Sequence, residues 1–169
     1  NLKEKIQVEN VVGMENPLYY RNKAIYPIGK NKEGKAIYDV FANRTHEIIE
    51  FEECKIQTKI SKEIAEYVIE FINKNNIAVY DENTKKGIFR HIIIKYGMKT
   101  EEIMCVLVLS EESFNGEKQL KEELIHKFPN IKTIVKNINT QNTNVILGGK
   151  NVVIYGSGYI QDKLRRVCI

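Results

Sequence analysis

The sequence has no apolar run near the ~20 residues that a membrane-spanning helix needs. Its opening, NLKEKIQVEN, has no apolar core of the kind a secretory signal carries. Cysteine is scarce: Cys54, Cys105 and Cys168 are the only three, and no CxxC pair occurs. An odd count without a pairing pattern argues against a secreted disulfide scaffold and fits a reducing, cytoplasmic compartment. Without CxxC, a complete zinc or iron–sulfur site is not expected from this chain alone. Walker A, GxSxG and HExxH motifs are all missing. The GSG of YGSGYIQDKL (155–164) precedes no helical pattern, so it does not make a dinucleotide loop. No fixed-period repeat or long low-complexity tract is present. Charge of one sign is also modest, 26 basic against 22 acidic residues for a net +4. Any affinity for nucleic acid would therefore have to come from local clustering.

The 169 residues, 43% of them hydrophobic, suit one domain with its own core. Asn16-Pro17 marks a turn after a leader of residues 1–15. KAIYPIG (23–29) and KAIYDVF (35–41) read as strands joined by a loop containing Gly34, and HEIIEF (46–51) as a third short strand. Pro27 cannot donate to a ladder, which predicts an edge strand there. Ile60, Ile64, Tyr67, Val68, Phe71 and Ile72 recur at helical spacing, predicting a helix from Ile60 to Lys74 with Ser61 as its N-cap or a first-turn residue. Residues 87–97 and 101–111 form a second predicted hairpin, the latter apolar enough for a central buried strand. A second helix is expected over 117–127, a strand over 131–138 and a turn-rich β tail beyond. The resulting order, strand–helix–strand–strand–helix–strand, predicts an α+β fold. Its antiparallel or mixed β-sheet would carry two helices on one face, with a ferredoxin-like βαββαβ middle.

Three segments place cations beside aromatic or amide groups. GMENPLYYRNKAIYPIG (13–29) offers Arg21 and Lys23 next to Tyr19, Tyr20 and Tyr26. Cations can engage phosphates while aromatic faces stack bases; the same residues equally suit an edge strand with solvated charges. NRTHEIIEFEECKIQ (43–57) contributes Arg44 and His46, and a Cys54 that on its own reads as a small buried residue. VYDENTKKGIFRHIIIKYG (79–97) holds Lys85, Lys86, Arg90, His91 and Lys95. Strand alternation puts Arg90 and His91 on opposite faces. They can line one groove only if the strand twists or bulges. NINTQNTNVILGGK (137–150) is rich in the amides that suit turns, and its Gly148-Gly149 pair reads as flexible.

Taken together and in this order, these segments with YGSGYIQDKL resemble the RNA (uracil-5-)-methyltransferase family over residues 13–164. The resemblance implies a central domain, residues 16–169, flanked in the whole protein by an OB-type RNA-binding domain and an S-adenosylmethionine-binding methyltransferase domain. It implies that Cys54 is the fourth ligand of a [4Fe–4S] cluster whose other cysteines lie upstream. RNA contacts are expected at Arg21, Lys23, Arg44, His46 and Arg90. The implied activity is uracil-C5 methylation of RNA, with 23S rRNA expected before tRNA. No catalytic residue is expected within these 169 positions, since the resemblance puts the nucleophile and the base in the methyltransferase domain; Cys168 does not match the family's nucleophile motif, Cys105 reads as core packing in a buried strand, and the chain should be inactive alone. Two other readings remain at this point, a stand-alone RNA-binding module and a folded remnant without activity.

Overall fold

A computed structural model describes residues 8–38, 40–41, 48–49, 54–142, 145–164 and 167–168. Its elements run β1 (Lys23–Lys30), β2 (Ala36–Tyr38), β3 (Val40–Phe41), β4 (Ile48–Ile49), α1 (Lys59–Lys74), β5 (Phe89–Tyr96), β6 (Ile103–Leu109), α2 (Glu117–Lys127), β7 (Ile131–Ile138), β8 (Lys150–Gly156), β9 (Lys163–Leu164) and β10 (Val167–Cys168). Six strands form one mixed sheet in the order β2-β1-β5-β6-β7-β8, while β3 pairs with β4 and β9 with β10. The α+β class with a mixed sheet and two helices is as expected.

The spatial order departs from a ferredoxin-like interleaving. In a split βαβ unit a third strand lies between the two strands that a helix connects. Here β1, which precedes α1 with β2–β4 between them in the chain, pairs directly and antiparallel with β5, which follows α1, and β6 and β7, which flank α2, pair directly and parallel. The long apolar β6 is buried along its whole length between β5 and β7, as expected.

Alternation along the strands sorts the core into two layers. Ala24, Tyr26, Ile28, Ile92, Ile94, Ile103, Cys105, Leu107 and Ile134 face both helices, meeting Ile64, Val68 and Ile72 of α1 and Leu120 and Leu124 of α2. Ile93, Met104, Val106, Val108 and Val135 face the other way, with Ile25, Ile146 and Ile160 packed on them. Thr58, not Ser61, is the N-cap of α1; Ser61 is buried in the first turn with its hydroxyl against that of Thr58. At the other end, the Asn73 side chain accepts from the Ala36 amide (2.8 Å) and donates to the Ala36 carbonyl (3.0 Å), tying α1 to β2. Tyr67 donates to Glu123 at 2.7 Å, linking the helices; that hydrogen bond, burial and the glutamate charge push its phenol up to about 12.

Pro27 does not sit on an edge strand. The β1 strand lies between β2 and β5, but its pairing with β2 covers only Ile28–Lys30, and its pairing with β5 runs from Lys23 to Pro27. The proline stands where one partner gives way to the other, so it interrupts neither ladder. Gly34 closes the β1–β2 turn with a left-handed φ of 80°, donating to Asn31 at 3.0 Å.

The amide-rich segment after β7 is held rather than loose. Asn137 and Asn139 are each 1% exposed. Asn137 bonds both the Gly148 carbonyl (3.0 Å) and its amide (2.7 Å), and Asn139 donates to the carbonyls of Val145 (2.7 Å) and Ile146 (2.9 Å). Gly148 is not a flexible joint: a Cβ there would strike the Ile138 carbonyl, whereas one at Gly149 would meet nothing.

Candidate nucleic-acid interface

Residues just before β1 are stitched to the segment that leads into α1. The Tyr19 amide donates to Lys55 O (2.8 Å), the Arg21 amide to Ile56 O (2.9 Å), and Arg21 forms a parallel bridge with Gln57. The next turn is fastened to β5, with the Tyr96 amide donating to Asn22 O at 2.8 Å. These backbone bonds leave the side chains of Arg21, Lys23, Lys55 and Lys59 outward and exposed. Lys23 pairs in register with Lys95, also exposed. Like charges directly opposite across a ladder destabilise each other, so a bound polyanion would relieve that pair. The Lys59 ammonium lies 5.2 Å from the Tyr19 ring centre, and Tyr20 is 45% exposed beside it. The result is five cations and two tyrosines at one end of the sheet. That composition can hold a phosphate backbone and stack bases.

Of the residues singled out in the sequence, Arg21 and Lys23 belong to this patch. Arg44 and His46 lie outside the described residues. Cys54 is a half-buried free thiol at the start of the segment that supports Arg21. Cys105 sits fully buried in β6, where desolvation pushes its thiol up to about 12. Among the described residues no three of His, Cys, Asp and Glu gather as a metal site. A cubane cluster takes four thiolates, and this region offers one.

Arg90 is placed inside. It is 3% exposed, and its guanidinium donates to Asn139 O (3.0 Å), Gln141 O (2.8 Å) and Glu82 Oε1 (2.9 Å) while lying 4.3 Å over the Tyr80 ring. It clamps the 80–83 turn to the end of β7, and it is not available to phosphate in this arrangement. The strand carries a bulge, the condition for both residues to line one groove: Phe89 pairs with Leu109 and His91 with Val108, so Arg90 is the extra residue. The bulge also returns Phe89 to the helix-side core, where simple alternation had placed Arg90. Arg90 and His91 consequently line one cavity. His91 is 7% exposed, and burial followed by the adjacent Arg90 charge lowers its pKa to about 4, so it is neutral at pH 7.

Two features had no local signal. Lys55 and Lys59 follow Cys54 closely, but nothing in their spacing places them beside Arg21. The cavity depends on a single-residue bulge.

The chain is 41% identical over 157 residues to an uncharacterized RNA methyltransferase of Bacillus cereus, an alignment covering 93% of this chain and 34% of that protein. It is 35% identical over 164 residues to an uncharacterized RNA methyltransferase of Staphylococcus epidermidis, covering 97% of this chain and 36% of that one. Over nearly its whole length the chain is similar to one part of these RNA methyltransferases. It spans about a third of the length of these curated relatives, 34% and 36%. No protein-family model matches it. Its fold is that of part of the Pyrococcus abyssi tRNA (uracil-54, C5)-methyltransferase, solved in complex with S-adenosyl-L-homocysteine. The TM-score is 0.71 at 22% identity, over 94% of this chain and 36% of that one. Among the described residues, no helix is long and apolar enough to cross a membrane.

Proposed function

We propose that this chain is the RNA-holding central part, residues 16–169 behind a short leader, of an S-adenosylmethionine-dependent RNA uracil-C5 methyltransferase acting in the cytoplasm on 23S rRNA. The observation that carries the reading is the exposed patch of Arg21, Lys23, Lys55, Lys59 and Lys95 with Tyr20 and the half-buried Tyr19, in a chain similar to part of RNA methyltransferases. Such a patch positions RNA without doing chemistry. S-adenosylmethionine would donate the methyl group on a domain outside these residues. Cys54 would give one thiolate to a [4Fe–4S] cluster whose other ligands come from elsewhere in the polypeptide; the described residues do not complete that site, and no step is routed through it.

The test pairs binding with turnover. Fluorescence anisotropy should show this chain binding a uridine-containing 23S rRNA stem-loop more tightly than a tRNA of equal length. With S-adenosylmethionine present, no 5-methyluridine should form. Methyl transfer by the chain alone would refute the inactive-part reading. Equal affinity for both RNAs would remove the rRNA assignment, and binding without any discrimination in a cell-derived full-length protein that lacks turnover would favour a stand-alone RNA-binding module.

A further inference from the structure

The bulge at Arg90 opens a cavity of about 200 Å³ between the end of β1 and the turn after Val79. Gly29, Lys30, Tyr80, Asp81, Arg90 and His91 are among the residues that line it. Two of these are deeply buried polar side chains, Arg90 at 3% and His91 at 7% exposure. The Arg90 Nε is buried and has no acceptor among the described residues. A buried N–H without an acceptor is costly, and a ligand that supplies one removes the cost.

The surrounding charges balance, Lys30 and Arg90 against Asp81 and Glu82, and give an anion no net attraction. Glu82 is engaged by Arg90, and the Asp81 carboxylate accepts the amides of Asn83 (2.8 Å) and Thr84 (2.9 Å) within the turn. Both carboxylates therefore stay beside the cavity, where a phosphate would meet them. What remains is a small, planar, uncharged group with an acceptor edge. A neutral imidazole can meet such an edge as donor or acceptor.

We propose that this cavity receives one unstacked RNA base, whose carbonyl oxygen or ring nitrogen accepts from Arg90 Nε while its edge meets His91. Single-stranded RNA is read in this manner, by splayed bases hydrogen-bonded along their edges. The inference rests on the reading that the chain binds RNA, and adds to it a second contact at the opposite end of β1 and β5 from the Arg21–Lys23 patch.

The test uses the whole 169-residue chain, labelled with nitrogen-15, and four probes without phosphate: uridine, cytidine, adenosine and guanosine. At least one nucleoside should shift the amides of Lys30, Tyr80 and His91 saturably, with an affinity unchanged by added salt and retained in Arg21→Ala. His91→Phe should abolish those shifts. Asn83→Trp, on the exposed rim and away from the core, should weaken them about tenfold by covering the mouth. If no nucleoside moves these amides while RNA still binds with salt-dependent affinity, the base pocket is wrong and the RNA reading stands. If inorganic phosphate shifts them instead, the site is anionic and the proposal falls. If neither RNA nor nucleosides bind, the RNA reading fails and takes this inference with it.

Discussion

At the scale of single residues, Arg90 and Arg21 make opposite demands. Arg90 is enclosed and satisfies two carbonyls and a carboxylate, all of which lose their partner if it is shortened. Breaking a buried pair in this way costs about 3 kcal/mol or more, so Arg90→Ala should lower the urea midpoint clearly. Arg21→Ala should leave that midpoint unchanged, because only its backbone takes part in the fold. Equal losses in the two variants would place Arg21 in the structure instead of at a surface for RNA. His91 adds a pH dependence. Its folded pKa, about 4, lies below the ordinary imidazole value of 6.5. The unfolded chain therefore takes up the proton first as pH falls. The fold is at full strength above about pH 6.5 and weakens progressively down to about pH 4. The loss between pH 7 and pH 5 should be about 2 kcal/mol. His91→Gln, which cannot titrate, should flatten that part of the profile; an unchanged slope would assign the effect to other groups.

At the scale of elements, much of the fold is written in the spacing of apolar residues. The stripe from Ile60 to Ile72 makes a helix wherever it is placed, and the β6 run IMCVLVL has no face to give to water. Strand 131–138 and helix 117–127 coincide with their expected bounds for the same reason. Spatial order was not legible, because pairing depends on which apolar faces meet across the sheet. The sequence does not say that β1 must pair with β5 directly. Nor was the bulge, since a one-residue slip leaves no trace in the run FRHIII beyond the conflict between Arg90 and His91. The cation patch was half legible: Arg21 and Lys23 stand beside their tyrosines in the chain, while Lys55 and Lys59 arrive through backbone bonds between distant segments. The two neighbouring glycines show the same limit. Both read as flexible, yet Gly148 lies against the Ile138 carbonyl and is gripped by Asn137. Gly148→Ala should therefore destabilise by about 2 kcal/mol or more, and Gly149→Ala should be close to neutral. Thermal denaturation of the pair decides it, and similar melting temperatures would mean that the loop yields easily.

Across the whole molecule, a net charge of +4 is too small to draw RNA from a distance by itself. Position matters more than total. Strand β5 separates two basic regions by about 20 Å, at ~3.3 Å per residue from Phe89 to Lys95. At one end Lys23 and Lys95 face each other without an ion-pair partner among the described residues. At the other, Lys85 lies 3.3 Å from Glu82 and is partly neutralised. A phosphate backbone displaces counterions only where cations are free to take their place, and the salt dependence of binding counts those contacts. Lys23→Glu should then weaken binding of a 23S rRNA stem-loop several-fold and reduce the slope of log affinity against log salt by about 1. Lys85→Glu carries the same change of net charge and should alter neither quantity appreciably. If both substitutions weaken binding alike, RNA responds to total charge alone, and the end of the sheet carrying Arg21 and Lys23 has no special part in holding it.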